Sequence, residues 1–295
     1  MQDKEPEEFR ENTSIFQIWL LFRKNTIALF SFYLLTLLTL TALFSSWIAP
    51  YSDNTQFVGQ ELMPPSWVDK GQIAFFFGTD DIGRDILSRL IMGTRYTLGS
   101  SLLVLIATAL IGGALGIIAG MLKGIKARFV GHIFDAFLSL PILLIAIIIS
   151  TLMEPSLWNA MFATLFAILP YFIHAIYRAI QEELKKDYVI MLKLEGISNW
   201  TLLKTTILPN ITIVYIQEIS RAFIVAVLDI SALSFISLGA QRPTPEWGAM
   251  IKDSLELLYL APWTVLLPGF AIIFTILLSI IFSNGLIKAI NQYYE

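Results

Sequence analysis

Residues 194–210 read LEGISNWTLLKTTILPN. Long apolar segments flank this stretch on both sides, yet the stretch itself is half polar. The surrounding residues 178–210 hold five cations (Arg178, Lys185, Lys186, Lys193, Lys204) and four acids (Glu182, Glu183, Asp187, Glu195). A segment so charged cannot face lipid, where its polar groups would have no partners. The chain must therefore leave the bilayer here and return. Glu182 to Leu194 has a helical pattern. Gly196 can stop a helix in the left-handed region, and Ser198 can cap a second helix. In that helix Trp200, Leu203, Lys204 and Ile207 share one side. Pro209, between Leu208 and Asn210, limits how far it extends. The expected unit is helix, glycine turn, short helix, proline. It is either an ordinary connector or a rigid knob presented to a partner.

Composition explains why such a unit stands out. Of 295 residues, 56% are hydrophobic and only 15% charged, and mean hydropathy is +0.70. Soluble domains are about a quarter charged, so this is the composition of a membrane protein. A net charge of -3 offers no basic face for nucleic acid. The absence of cysteine excludes disulfides, thiolate metal sites and cysteine nucleophiles.

Stretches without a formal charge run 25–52, 96–122, 136–153, 155–177 and 257–287. Each is about 18 residues or longer, enough to cross roughly 30 Å of hydrocarbon as a helix. A sixth candidate, 212–239, contains Glu218, Arg221 and Asp229. The first stretch is too long for a signal-peptide core and reads as an uncleaved anchor. The expected fold is all-α and integral to the membrane, with six transmembrane helices. With the N-terminus inside, the inner segments hold thirteen Lys and Arg (Lys4, Arg10, Arg23, Lys24, Lys123, Lys126, Arg128, Arg178, Lys185, Lys186, Lys193, Lys204, Lys288). The outer segments hold six: Lys70, Arg84, Arg89, Arg95, Arg242 and Lys252. The positive-inside rule then gives N-in and C-in, and LEGISNWTLLKTTILPN faces the cytoplasm.

The expected organisation is a cytoplasmic tail at 1–24, a first span at 25–50, an outer loop at 51–95 and a five-helix core at 96–290 that includes the cytoplasmic loop 178–210. The outer loop ends in FFFGTDDIGRDILSRLIMGTRYT. There Ile82, Ile86, Leu87, Leu90 and Ile91 form a stripe opposite Arg84, Asp85, Ser88 and Arg89, the pattern of a short interfacial helix. Thr79 or Asp80 can cap it, and Asp85 and Arg89 are spaced for an i, i+4 pair. Gly112, Gly116 and Gly120 leave a smooth strip for close helix packing. Pro141, Pro170 and Pro268 fall inside spans, where neighbours can satisfy the freed carbonyls.

Little here suggests chemistry in the chain itself. No GxxxxGK[ST] phosphate loop, HExxH or nucleophile elbow occurs. His132 and His174 each stand alone near a span end, as packed residues do. Asp80, Asp81 and Asp85 resemble the Mg²⁺-holding clusters of prenyl-transferring enzymes, which gives one alternative: a Mg²⁺-dependent membrane prenyltransferase. Glu218, Arg221 and Asp229 lie near one helical face. Each charge at mid-membrane costs about 2.5–3.5 kcal/mol, while an apolar residue returns only about 0.3–0.6. That face must therefore meet other helices or a watery cavity, as an interhelical ion pair or as the lining of a solute path. A second alternative follows: an ion-coupled secondary transporter driven through Asp229 or Glu218. No internal repeat supports the inverted-repeat version of it.

Three motifs in order resemble one family. FFFGTDDIGRDILSRLIMGTRYTLG is similar to the FGTDxxGRDxxSRxxxGxRxSL pattern of oligopeptide and dipeptide ABC importer permeases, through Gly78, Thr79, Asp80, Gly83, Arg84 and Asp85. LSFISLGAQRPTPEWGAM resembles that family's LSFLGLGxxPPxPxWGxM, and APWTVLLPG its opening of the last span. Within the family, GTDD, PEWGAM and Asp229-Ile230 resemble the Sap branch. That branch is associated with antimicrobial peptide resistance, and polyamine export and haem or peptide uptake have been ascribed to it. The resemblance implies a type I importer permease fold, a second homologous permease chain, two cytoplasmic ATPase subunits that hold ATP and Mg²⁺, and a periplasmic solute-binding protein. It implies no cofactor in this chain and residence in the bacterial inner membrane. It also makes 194–210 a coupling helix, with Leu194, Gly196, Ser198, Trp200, Leu203, Leu208, Pro209 and Asn210 at the ATPase contact. Three departures stand out. Ile190-Met191-Leu192 replaces Glu-Ala-Ala, Ile230 stands where relatives carry Glu, and the ending GDGLRD is here Ser283-Asn284-Gly285-Leu286-Ile287-Lys288.

Overall fold

The computed structural model describes residues 14–52, 55–122 and 137–294. Lys4, Arg10, Lys123, Lys126, Arg128 and His132 lie outside the described residues. The described chain is helical throughout its regular structure: α1 (Ser14–Lys24), α2 (Thr26–Leu43), α3 (Ile86–Gly120), α4 (Ile142–Thr151), α5 (Leu157–Glu183), α6 (Asp187–Leu194), α7 (Asn199–Phe235), α8 (Trp247–Ser254) and α9 (Trp263–Tyr294). Five of these, α2, α3, α5, α7 and α9, are long and apolar enough to cross a membrane. The expected third span is represented by α4, whose ten described residues reach only about 15 Å. Pro141 does not interrupt it. It precedes the first helical residue with φ -61° and ψ 138°, because a proline ring presets the entry angle and lacks an N–H that the first turn does not need.

Two sequence expectations at the outer face are corrected. There is no separate interfacial helix before a span beginning at 96, because α3 runs unbroken from Ile86. Nor does the charged stripe face solvent. Arg84, Asp85, Ser88 and Arg89 are all buried, packed under the loop that precedes them. The cap is Asp85 rather than Thr79 or Asp80. Its Oδ2 accepts from Ser88 N at 2.8 Å and Ser88 Oγ at 2.6 Å. Arg89 accordingly pairs with Asp80 at 3.7 Å instead of Asp85. A lipid-exposed polar stripe would cost more than one turned inward onto its own counter-ions.

Lipid tails are as apolar as isoleucine, so hydrophobicity alone cannot hold spans together and close packing must. The glycine strip supplies it within the chain. A Cβ at Gly112, Gly116 or Gly120 would come within 2.9, 2.8 and 2.8 Å of Phe172, Ile176 and Ile180 on α5. α3 also carries a π turn at Thr108–Gly112, which leaves backbone carbonyls out of register. Tyr215 of α7 donates its hydroxyl to Ala109 O at 2.8 Å, satisfying one of them. Phe172, Ile176 and Ile180 continue into the main core with Val189, Leu202, Ile207, Ile211 and Ile230. Ile230 is fully buried there.

At the outer end one carboxylate joins three helices. Glu246 is 0% exposed and caps α8, accepting from Ala249 N at 2.9 Å. Its other oxygen accepts from Thr97 Oγ1 of α3 and Ser231 Oγ of α7, both at 2.9 Å. Thr97 Oγ1 also accepts from Trp247 N at 3.1 Å. Glu246→Ala removes a cap, about 1 kcal/mol, and strands hydroxyls at about 1–3 kcal/mol each. We expect this variant to unfold several degrees below wild type in detergent and Glu246→Gln to lose less. A melting temperature unchanged in Glu246→Ala would show that the junction does not bear on stability.

Candidate functional site

The cytoplasmic unit is built from two terminators back to back. At the end of α6, Gly196 takes φ +85°, which lets Gly196 N donate to Lys193 O at 3.2 Å and Ile197 N to Leu192 O at 3.3 Å. This is a Schellman closure, and Leu192 and Ile197 both pack on the main core. Two residues later Ser198 caps α7, its Oγ accepting from Thr201 N at 3.1 Å. Space around Gly196 is open, so only its backbone conformation requires glycine.

Pro209 does not end the helix as expected. α7 runs from Asn199 through Phe235, with Pro209 inside its length. A π turn at Leu203–Ile207 lies immediately before the proline. The wider turn takes up the clash and the missing donor that a proline would impose on a regular helix. The expected helix from Glu182 to Leu194 is also two pieces, α5 ending at Glu183 and α6 starting at Asp187.

Side chains divide cleanly between inside and outside. Leu202, Leu203 and Ile207 are buried in the core, so Leu203 anchors rather than contacts. Leu194 is 83%, Trp200 72% and Met191 62% exposed, with Ile190 also exposed. Exposed apolar side chains on so charged a segment are the kind of patch that marks interaction sites. Leu208 packs against the core, and Asn210 holds the base of the knob. Asn210 Nδ2 donates to Glu183 Oε1 at 2.8 Å and to Tyr188 Oη at 2.7 Å. Tyr188 in turn donates to Glu183, and Lys186 Nζ reaches Glu183 Oε2 at 2.7 Å. Sequence reasoning included Asn210 but not Glu183 or Tyr188. A carboxylate closing an otherwise apolar helix was the available signal.

The outer motif is a folded plug. Asp80 Oδ1 accepts from Arg84 N at 2.9 Å, and Oδ2 pairs with Arg84 Nε at 2.6 Å. Thr79 Oγ1 accepts from Met63 N at 2.8 Å, while Gly78 and Gly83 adopt positive φ. Arg242 bridges Asp81 at 3.3 Å and Asp253 at 2.8 Å, tying the plug to α8. Asp80, Asp81 and Asp85 are thus engaged by arginines, a serine and backbone amides. No metal-holding group of His, Cys, Asp or Glu is found among the described residues.

Glu218, Arg221 and Asp229 are not brought to one point. Glu218 and Arg221 flank a small recess with Tyr171 and Phe172. Asp229 lies eleven residues beyond Glu218, about 16 Å along the helix. It is 6% exposed, and its Oδ2 has no hydrogen-bond partner among the described residues.

This architecture can now be placed. The family model described as "Binding-protein-dependent transport system inner membrane component" matches residues 112–294. The chain belongs to that family. A second model, "N-terminal TM domain of oligopeptide transport permease C", matches residues 15–65. The chain is 85% identical to the peptide transport system permease protein SapC of Haemophilus influenzae over 295 residues, all of both chains. It is 44% identical to SapC of Escherichia coli over 272 residues, covering 92% of each. The dipeptide transport system permease protein DppC of Escherichia coli is 36% identical over 279 residues, 95% of this chain and 93% of that one. A solved chain of the MetNI methionine ABC transporter in an inward-facing conformation superposes with a TM-score of 0.56 at 14% identity, over 68% of this chain and 96% of that one. The protein is a transmembrane permease subunit of an ABC transporter in the inner membrane, with the type I importer fold, and not an enzyme. It works with ATPase and permease partner chains. These findings give no support to the prenyltransferase or the ion-coupled transporter.

Removing the hub at the base of the knob tests what positions it. Glu183→Ala takes away hydrogen bonds to a charged group worth about 1.5–3 kcal/mol. Trypsin should then cut faster at Lys185 and Lys186 in the purified protein, while Arg178, about two turns earlier, stays protected by the helix. Equal cleavage rates in both proteins would mean that Glu183 does not hold the loop.

Proposed function

We propose that this permease moves peptides, and that partner ATPases drive it through the knob at 190–210. The observation that carries the coupling reading is the exposed apolar tip formed by Met191, Leu194 and Trp200. That tip stands on a loop closed at Gly196 and Ser198 and anchored by Leu202, Leu203, Ile207 and Asn210. The chain has no phosphate loop, so energy must arrive by contact, and ATP with Mg²⁺ is held in the partner chains. Ile190-Met191-Leu192 makes the contact apolar where the family pattern carries a charge. Peptide as the substrate class follows from the names of the SapC and DppC relatives. The full assembly is a Sap-type system, in which this chain pairs with a second, homologous permease and two ATPase subunits and receives solute from a periplasmic binding protein.

Coupling is tested by Gly196→Asp and Leu194→Glu. Neither position lies in the core, so both proteins should insert and co-purify at normal levels. Transport should fall at least tenfold, through strain at the positive-φ turn in the first and a charge on the exposed apolar tip in the second. Wild-type transport by Leu194→Glu would remove the knob from the coupling route.

For cationic solutes the motivating observation is the carboxylate oxygen of Asp229 that has no hydrogen-bond partner among the described residues. If it faces the path in another conformation, Asp229→Asn lowers uptake of a cationic peptide and leaves a neutral one unchanged. Equal uptake of both by the variant assigns Asp229 to structure.

A further inference from the structure

Where the chain enters its first span, α1, α2 and α9 enclose an apolar groove of ≈ 230 Å³. Its walls include Ile18, Trp19, Phe22, Phe32, Phe282 and Leu286. The rings are mutually packed, with Trp19 and Phe32 at 5.6 Å, Phe22 and Phe282 at 5.8 Å, and Phe32 and Phe282 at 5.9 Å. The local chain explains the shape. Asn25 caps α2, its Oδ1 accepting from Ala28 N at 3.2 Å, so α1 and α2 are separate helices meeting at a turn. Gly285 lets Ala28 come so near that an added Cβ would stand 2.2 Å from it. α2 and α9 thus touch closely at one level, and α1 lies across them.

The outer side of α1 mixes exposed Phe16 and Leu20 with exposed Arg23 and Lys24. Apolar and basic side chains on one helical side suit the boundary between acyl chains and headgroups. Arg23 follows Phe22 and stands one turn beyond Trp19. Lys288 follows Leu286 by two residues and is also exposed. The sequences of α1, α2 and α9 contain no Asp or Glu. No ion pair reaches Arg23, Lys24 or Lys288 among the described residues. The three cations do not line the slot but stand on the same helices near its cytoplasmic end. An apolar slot below such cations has a defined complement: an acyl chain carrying an anionic head.

We propose that this groove binds an anionic phospholipid of the cytoplasmic leaflet. One acyl chain lies between Trp19, Phe32 and Leu286, and the phosphate group meets Arg23 and Lys24, with Lys288 adding to the same field. A neutral lipid fills the slot but leaves the cations unmatched, and a protein helix would have to bring carboxylates with it.

Native mass spectrometry of the full-length chain in detergent, titrated with phosphatidylglycerol or phosphatidylcholine, tests this. Wild type should retain one phosphatidylglycerol at about tenfold lower concentration than phosphatidylcholine. The triple variant R23Q/K24Q/K288Q should lose that preference. Leu286→Trp, which fills the slot and leaves every charge in place, should retain one lipid fewer of either kind. Equal retention of both lipids by wild type overturns the proposal, as does an unchanged preference in the triple variant. A photoreactive residue at Ile15 that cross-links to a companion permease chain instead of lipid would give the groove to protein and overturn it too.

Discussion

Inside a bilayer no water stands ready to accept a stray hydrogen bond, so every polar group must be answered from within the protein. That constraint organises this molecule at each level. Glu246 is acceptable in a fully buried position because a helix N-terminus and two hydroxyls on two other helices converge on it. Arg84 and Arg89 are acceptable because the GTDD turn folds Asp80 over them. The π turn of α3 persists because Tyr215 answers a carbonyl it frees. The contacts of Glu246 and Tyr215 join helices that are separate in sequence. Meeting the polar requirement therefore also fixes how the helices sit together, which hydrophobicity cannot do in lipid.

The same constraint explains which features could be read from sequence. Spans are legible because length and apolarity act over some twenty residues and do not depend on neighbours. The glycine turn and serine cap around residues 196–198 are legible because capping is local chemistry. The direction of the α3 polar stripe is not local. An amphipathic pattern says that two faces differ, and it does not say which one meets solvent. The path of the preceding loop, which turns Asp80 over Arg84 and Arg89, decides that. Pro209 misleads for a related reason. Its penalty applies to a regular α-helix, and a π turn just before it removes the assumption. The charged trio of α7 shares a helical face on a wheel, but a wheel carries no distance along the axis. Asp229 stands too far from Glu218 and Arg221 to act with them on one solute group.

The knob shows how stiffness and exposure are reconciled. An exposed apolar tip ordinarily invites disorder, because nothing holds it. Here Leu202, Leu203 and Ile207, on the opposite side of the same turn, are sunk in the core, and Asn210 is held by Glu183 and Tyr188. A push on Leu194 or Trp200 therefore meets a unit that moves as a body.

What such a push can reach follows from helix continuity. α7 runs from Asn199 to Phe235, 37 residues, or about 55 Å if straight. Its cytoplasmic end carries the knob, and near its other end Ser231 donates to Glu246. On the coupling reading proposed above, one continuous helix links the knob with the polar junction that holds α3 and α8 at the outer face. The π turn at Leu203–Ile207 is where that lever departs from regular α-helix, and it lies directly behind the knob. Displacement of the tip is divided between bending there and tilting the whole helix. Tilting strains a buried carboxylate whose hydroxyl partners lie on two different helices. On the coupling reading, the outer junction is therefore the polar contact that a tilt of α7 must carry with it.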